Sequence, residues 1–412
     1  MSTLQRPATH PRHATRFPRS QTAAAVVAAA LGTLVALLAA ANLFPASSNI
    51  FTLAGTYVWA SAAPHLVLAS LIAALLTIPL WRARRHPVLR GIASGAAALA
   101  LIASTFITGS LVTAATSNGG SVNLVQAVTL STPTEPATEI TSYITVDGES
   151  LEARVYEPDG GPEGAPVMMY IHGGGWQTGS AEESEATAQH WAAQGWYVVS
   201  VDYRLSSAER PTWDKAPADL ACALTWTDRH SADAGADTDR LTVMGDSAGG
   251  HRALLRGWSA AADAADSACA DQGPVPVPDA IVAAYPASDV QYIYDYGVAP
   301  VPGIDPREFT RLFLGGEPAD LPERLKAIEP MTYLGDATPS TLILQPDRDD
   351  FIPAENNYRA MDTAVQAGVD ATIVPVPFAW HAFDAPQGGL GGQVKNTVAR
   401  TWLEERDLAP RR

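Results

Sequence analysis

The sequence predicts two parts of different class: an all-helical membrane region, followed by an α/β domain whose mostly parallel sheet carries helices on both faces. Three observations support this prediction. Residues 1–115 contain three long apolar runs without a charged residue. From Pro166 onward, strand-like and helix-like segments alternate. The charge is divided as well, because residues 1–120 hold eight arginines and no Asp or Glu, and all 43 acidic residues follow them.

The three apolar runs lie at about residues 22–43, 56–81 and 91–115 and predict transmembrane helices. At ~1.5 Å of rise per residue, each is long enough to cross a hydrocarbon layer of ~30 Å. Pro64 and His65 interrupt the second run. A cleaved signal peptide fits less well, because its apolar stretch is only ~7–15 residues long and would not be followed by two further runs.

The arginines predict how this membrane region is oriented. Residues 1–21 form a basic N-terminal segment, and a second basic segment separates the second run from the third. Short basic segments stay in the cytoplasm, so both are expected inside. The third run then leads outward and places the α/β domain outside the cytoplasmic membrane. The arginines concerned are Arg6, Arg12, Arg16, Arg19, Arg82, Arg84, Arg85 and Arg90.

Residues 116–138 are rich in Ser, Thr, Pro and Gly and predict a linker to a domain at residues 139–412. Strands are expected at about 141–146, 151–156, 166–171, 196–202, 241–244, 281–285, 341–344 and 372–376, and helices at about 181–194, 216–229, from 248, 354–367 and 393–406. Residues 287–339 interrupt this alternation with prolines and aromatic residues, and predict a cap-like insertion over a site.

Gly245-Asp246-Ser247-Ala248-Gly249 is the most informative motif, because it follows an apolar strand and opens a helix. A serine between small residues at a sharp strand-to-helix turn is typical of a nucleophile elbow. The turn strains the backbone of the serine, and larger side chains two positions away would collide with the neighbouring strand and helix. The motif therefore predicts that Ser247 is a nucleophile.

His172-Gly173-Gly174-Gly175-Trp176 follows another buried strand and leaves bare backbone N–H groups at its end. Such donors can stabilise the oxyanion that forms when an ester carbonyl is attacked. A flexible loop or a phosphate cradle is the alternative interpretation. A phosphate loop would end in Gly-Lys-Ser/Thr, whereas this loop continues as Trp176-Gln177-Thr178.

The two motifs, with Val201-Asp202-Tyr203-Arg204-Leu205 between them, resemble those of α/β-hydrolase esterases related to hormone-sensitive lipase and to bacterial feruloyl-esterase-like carboxylesterases. The resemblance extends from about Ile140 to the C-terminus. It implies an α/β-hydrolase fold with a cap insertion. It also implies an oxyanion hole formed by N–H groups of Gly173, Gly174, Gly175 and Ala248, and which of the glycines donate is left open.

The fold places the acid and the base after the nucleophile, in that order. Only His251 and His381 follow Ser247, and His251 lies on the helix that the serine opens, where a packed residue is expected. His381 is therefore the predicted base. For the acid, family spacing favours Asp349 and keeps Asp350 in reserve. The chain has Ala382 and Pro346 where these esterases usually have glycine.

Two further sets of residues have predicted roles. Trp176 and Trp380 neighbour the glycine loop and the base in sequence, and they are candidates for the substrate pocket. Cys222 and Cys269 both fall in the outer domain, where they would form a disulfide or remain two buried thiols.

The expected function is that of a membrane-anchored serine carboxylesterase that hydrolyses short-chain acyl esters, such as acetyl esters, of a small molecule or of the cell envelope. The expected partner is the lipid bilayer. No cofactor or metal is expected, since the chain has no His-Glu-x-x-His and its two cysteines are far apart. The acidic domain disfavours nucleic acid. An extracytoplasmic acyltransferase and a non-catalytic binding domain on the same scaffold are the alternatives.

Overall fold

The computed structural model describes residues 19–83, 87–132 and 135–411. Arg6, Arg12, Arg16, Arg84 and Arg85 of the predicted basic segments lie outside them. The helices are α1 (Arg19–Ala41), α2 (Ile50–Ala83), α3 (Pro87–Ser117), α4 (Leu124–Thr129), α5 (Glu185–Ala193), α6 (Lys215–Asp233), α7 (Ala248–Ala261), α8 (Val290–Tyr296), α9 (Pro306–Leu314), α10 (Pro322–Ile328), α11 (Ala354–Gln366) and α12 (Leu390–Glu404).

One mixed, mostly parallel sheet forms the centre of the second part, which confirms the predicted fold class. Its eight strands are β1 (Glu139–Val146), β2 (Glu149–Tyr156), β3 (Pro166–Ile171), β4 (Tyr197–Val201), β5 (Asp237–Asp246), β6 (Ala280–Ala284), β7 (Ser340–Pro346) and β8 (Ala371–Val376). Their order across the sheet is β1-β2-β4-β3-β5-β6-β7-β8. Only the pairs β1–β2 and β2–β4 are antiparallel.

The central strands are apolar because helices cover both faces of the sheet. Every residue of β3, β4 and β6 is buried. The register pairs Ile171, at the end of β3, with Gly245 of β5. The glycine loop that follows β3 and the turn that follows β5 therefore emerge side by side at the carboxyl edge of the sheet.

Helices α1, α2 and α3 pack against one another, and each is long and apolar enough to cross a membrane. A Cβ atom on Gly32 of α1 would lie 2.7 Å from the backbone of Ala96, so only glycine allows α1 to approach α3 so closely. Helix α2 has a non-helical residue, Ala62, two positions before Pro64, which causes a kink. It begins six residues earlier than the predicted run.

The segment predicted as a linker is not a free tether, because part of it is folded onto α12. Asn123 caps α4 by accepting hydrogen bonds from the backbone of Val125 and Gln126. Its own backbone N–H donates to Gln393 Oε1 over 2.6 Å. Thr401 Oγ1 donates to Gly119 O over 3.0 Å. Composition alone missed these contacts because they require α12, which lies some 270 residues further along the chain.

Cys222 in α6 and Cys269 after α7 form a disulfide, with their Cα atoms 5.3 Å apart. The sequence left this pairing open. The bond joins the helix that precedes the Ser247 turn to the segment that follows the next helix, and it closes a loop with a sequence separation of 47 residues.

Replacing both cysteines by alanine should lower the free energy of unfolding by about 4 kcal/mol, because a crosslink across a loop of this length restricts the unfolded chain by roughly that amount. Chemical denaturation of the full chain in detergent micelles measures the change. Alkylation without a reductant should leave the mass of the native chain unchanged, and two alkylated thiols would contradict the disulfide.

Candidate active site

Ser247 lies at the turn between β5 and α7, with φ +53° and ψ −119°. This positive φ is costly for a residue with a side chain, and the surrounding packing holds it. The Ser247 N–H donates to Ala284 O at the end of β6 over 2.9 Å. A Cβ atom on Gly249 would lie 2.1 Å from Ile171 O, and one on Gly245 would lie 2.5 Å from Gly249 O. The glycines of the motif are therefore required by close backbone contact.

The structure brings Ser247, His381 and Asp349 into one hydrogen-bonded line. His381 Nε2 is 2.9 Å from Ser247 Oγ, and His381 Nδ1 is 2.7 Å from Asp349 Oδ2. All three side chains are buried. A carboxylate beside Nδ1 favours the tautomer with its proton there, which leaves Nε2 free to accept the serine hydroxyl. The line can therefore draw a proton away from Ser247.

Asp349 is held for this contact by a second hydrogen bond, which its Oδ1 accepts from Ile352 N over 2.9 Å. Burial raises the pKa of Asp349, and the neighbouring His381 acts in the opposite direction. The reserve candidate, Asp350, points elsewhere, because it accepts hydrogen bonds from Trp380 Nε1 and from Ser47 in the α1–α2 connection. Asp347 is exposed.

The glycine loop lies directly beside the serine. A Cβ atom on Gly173 would be 3.4 Å from Ser247 Cβ. Gly174 and Gly175 have φ values of +110° and +58°, which glycine adopts readily. Ala248 opens α7, so its N–H has no partner within the helix and lies at the positive end of the helix dipole. The assignment of Gly173, Gly174, Gly175 and Ala248 as oxyanion donors stays a prediction.

Trp176, a predicted candidate for the substrate pocket, lies buried between the cap and α7. Its side chain is only 3% exposed, and its ring stacks on Phe313 with centroids 4.7 Å apart. Trp176 Nε1 donates to His251 Nδ1 over 3.2 Å, and His251 Nε2 donates to Ile328 O over 2.8 Å. Burial lowers the pKa of His251 to about 3, so it is neutral. His251 is thus packed, as expected. Trp176 contacts the cap through Phe313 and α7 through His251.

The predicted insertion contains α8, α9 and α10 between β6 and β7. Phe309 on α9 covers the glycine loop, because a Cβ atom on Gly175 would be 2.5 Å from its ring. Phe351 lies 4.9 Å from His381 and 6.2 Å from Phe309 between ring centroids. The half-buried Trp380 also packs beside the base, with its ring centroid 6.0 Å from that of His381. Sequence reasoning missed Phe351, although it follows the acid loop directly.

A buried charged network lies behind His381, and the motifs did not predict it. Tyr285 packs with its ring 4.7 Å from His381, and its hydroxyl donates to Asp384. Lys395 on α12 forms an ion pair with the same carboxylate. Burial acts to raise the pKa of Asp384, but the charge of Lys395 and the hydrogen bonds from Lys395 and Tyr285 together outweigh it, so the net shift is downward. Burial and the charge of Asp384 raise the pKa of Asp246.

Within the described parts of the chain, no group of three or more His, Cys, Asp and Glu side chains could hold a metal ion. The groups that the structure brings together are the serine, the imidazole, the carboxylates and the backbone N–H groups. Together they are suited to attack on a carbonyl carbon and to stabilisation of the resulting negative oxygen.

Comparison with known proteins gives one family. The BD-FAE family model matches residues 154–362, which is half of the chain. Esterase LipQ of Mycobacterium tuberculosis is 30% identical over 224 residues, which are 53% of this chain and 51% of the relative. Hormone-sensitive lipase of Bos taurus is 32% identical over 155 residues, or 37% and 19% of the two chains. The chain spans about half the length, or less, of these curated relatives.

Solved structures match a larger part of the chain. The butyrate-bound esterase Est2 of Thermogutta terrifontis superposes with a TM-score of 0.55 and 25% identity, over 67% of this chain and 97% of that one. The native form of the same esterase gives a TM-score of 0.54. The matched domain has the α/β-hydrolase fold.

Glu329, between α10 and β7, anchors the cap through a buried carboxylate. Its Oε1 accepts hydrogen bonds from Val290 N and Gln291 N at the start of α8, over 2.8 and 3.3 Å. Burial, with a contribution from the charge of Asp289, raises the pKa of Glu329 to about 8. Between about pH 4.5 and 8, the Glu329 carboxyl group therefore keeps its proton in the folded chain, whereas in the unfolded chain it has already lost it.

Stability from this group is present below about pH 4.5 and is lost as the pH rises through 8. The melting temperature of Glu329→Gln should therefore rise relative to that of the natural chain as the pH increases from 5 to 9. The exposed Glu323→Gln in α10 is the matched control and should show a pH-independent difference. A Glu329→Gln difference that is constant with pH would rule out the proposed ionisation.

Proposed function

Because the chain belongs to the BD-FAE family, we propose that it is a membrane-anchored serine carboxylesterase that hydrolyses short-chain acyl esters. The observation that carries this proposal is the hydrogen-bonded line of Ser247, His381 and Asp349 beside the glycine loop. The names of the relatives, esterase and lipase, support the same activity. The substrate is a small molecule or an ester of the cell envelope.

The reaction follows from the roles of the three side chains. His381 Nε2 takes the hydroxyl proton of Ser247 while Oγ bonds to the acyl carbon. The negative oxygen that forms is stabilised by backbone N–H groups of the glycine loop and of Ala248. Asp349 holds the imidazole and offsets its positive charge.

The intermediate then collapses. The bond from the acyl carbon to the alcohol oxygen breaks, and the alcohol leaves with the proton that His381 returns. Water attacks the acyl-enzyme with the help of the same base, and the carboxylic acid leaves. The sum is ester plus water to acid plus alcohol. An acyltransferase would differ only in discharging the acyl group to another hydroxyl.

A short acyl chain is supported by two observations. The similar esterase Est2 has a structure with bound butyrate. In this chain, Phe309 and Phe351 lie close to the glycine loop and to His381, respectively, and they limit the space beside the serine.

The three apolar helices are proposed to span the cytoplasmic membrane, with the hydrolase domain outside. Helices α1–α3 meet the length and hydropathy that a span requires. At one end, the Arg90 guanidinium lies 4.2 Å from the centre of the Trp81 ring, a pair typical of a membrane–water interface. The hydrolase domain contacts the helices near their other end, through Ser47 and Ser61. The disulfide fits an oxidising compartment.

Ser247→Ala should abolish covalent labelling by a fluorophosphonate probe and hydrolysis of nitrophenyl acetate. Asp349→Asn should lower kcat about 10²–10⁴-fold, because the imidazole tautomer is no longer held. Asp347→Asn changes an exposed carboxylate of the same loop and should stay within about twofold of the natural chain. Labelling that persists in Ser247→Ala would overturn the proposal. Acyl transfer that exceeds hydrolysis when an alcohol acceptor is added would favour the acyltransferase instead.

Cysteine labelling tests the orientation, because the two native cysteines are bonded to each other. Gly160→Cys, in an exposed turn of the hydrolase domain, should react with a membrane-impermeant maleimide on intact cells. Arg85→Cys, in the basic segment, should react only after permeabilisation. The reverse pattern would place the domain in the cytoplasm.

A further inference from the structure

The two loops that carry Asp349 and His381 are both attached to the membrane region. In the acid loop, Asp350 Oδ2 accepts hydrogen bonds from Ser47, including one from its backbone N–H over 2.9 Å. In the loop after the base, Ala385 O accepts a hydrogen bond from Ser61 Oγ over 2.8 Å. The catalytic face of the sheet is thus joined to the α1–α2 connection and to the first part of α2.

The same carboxylate of Asp350 links this connection to the reacting groups. Its other oxygen accepts from Trp380 Nε1 over 3.0 Å, and Trp380 directly precedes His381. The backbone carbonyl of Asp350 accepts from Val298 N in the cap over 2.9 Å. One residue therefore ties together the membrane region, the cap and the loop that holds the base.

The α1–α2 connection lies close to the expected surface of the bilayer. The apolar span of α1 covers Ala23–Ala41, and at ~1.5 Å per residue its 19 residues cross about one hydrocarbon layer. Gly55 of α2 packs against Ala41. Ile50 begins α2 five residues earlier, so the connection rises about 8 Å above the end of the span. That height is comparable with the thickness of a lipid headgroup region.

Large apolar side chains are exposed on this connection and on the first turn of α2. The exposed fractions are 78% for Leu43, 56% for Phe44, 70% for Ile50 and 41% for Phe51. Single exposed apolar residues are ordinary, but four within nine residues at the end of a membrane span are typical of a segment that contacts lipid. We call these four residues the apolar rim.

We propose that the substrate is a lipid that carries a short acyl ester and is held in the outer leaflet of the membrane, and that it enters the site past the apolar rim. The ester groups of lipids lie at the boundary between hydrocarbon and headgroups, within about 8 Å of the connection at which Ser47 holds the acid loop. The rim lies next to the spans, so the hydrocarbon part of such a lipid can remain in apolar surroundings while its short acyl ester reaches Ser247. This inference rests on the proposed function and adds where its substrate resides.

The test uses the full chain reconstituted in vesicles of diether phosphatidylcholine, whose ether-linked lipids contain no carboxylic ester. Two probes release the same butyric acid, whose formation is followed by titration: ethyl butyrate, which stays largely in water, and hexadecyl butyrate, which partitions into the bilayer. The double variant Phe44→Ser/Phe51→Ser should lower the ratio of the hexadecyl butyrate rate to the ethyl butyrate rate about tenfold. The control is Val365→Ser, an equally exposed apolar residue at the far end of α11, which should leave that ratio unchanged.

The outcomes separate this inference from the proposed function. An unchanged ratio in the double variant, with fluorophosphonate labelling of Ser247 retained, would overturn the role of the rim. Hydrolysis of ethyl butyrate but not of vesicle-bound hexadecyl butyrate by the natural chain would overturn the lipid substrate and leave the carboxylesterase standing. Failure to hydrolyse either ester, together with absence of labelling, would overturn the proposed function itself.

Discussion

The parallel pairing of β3 with β5 is the constraint on which the site depends. The register that sets Ile171 beside Gly245 brings the glycine loop and the Ser247 turn to adjacent positions at one edge of the sheet. The backbones approach so closely there that Gly249 has no room for a Cβ atom. A shift of one residue in this register would separate Ser247 from the backbone N–H groups of the glycine loop.

The three apolar helices and the hydrolase domain share one apolar core rather than being joined by a flexible tether. Buried residues of α2 and α3, such as Trp59 and Leu111, belong to the same cluster as Leu390 and Val394 of α12. Burial of each large apolar side chain contributes roughly 1.5–3 kcal/mol, so the contact holds the domain in one orientation on the helices. The hydrogen bonds from Ser47 and Ser61 to the loops that follow β7 and β8 depend on this rigid contact, because a domain on a free tether would not stay at a fixed position relative to the helices.

The buried charges near the site are balanced locally. Lys395 is paired with Asp384 behind the base, and Asp349 faces His381. An unpaired charge would be costly at this depth. The pairing stabilises the loop that follows His381. It also explains why the first half of α12, far from the serine in sequence, contributes to the surroundings of the imidazole.

The sequence alone determined the strand–helix alternation, the three apolar helices, the serine turn and the glycine loop, because each depends on residues close together in the chain. It also predicted that His381 and Asp349 would lie near Ser247, through the order and spacing that the family resemblance implies. Four features are visible only in the tertiary structure. Asp349 rather than Asp350 contacts His381, and Trp176 is buried under the cap. Cys222 is bonded to Cys269, and Phe351 packs beside His381. The tertiary structure also folded the supposed linker onto α12 and attached the α1–α2 connection to the acid loop. These features depend on side chains tens to hundreds of residues apart, and their contacts are set by packing and hydrogen bonding that no local pattern records.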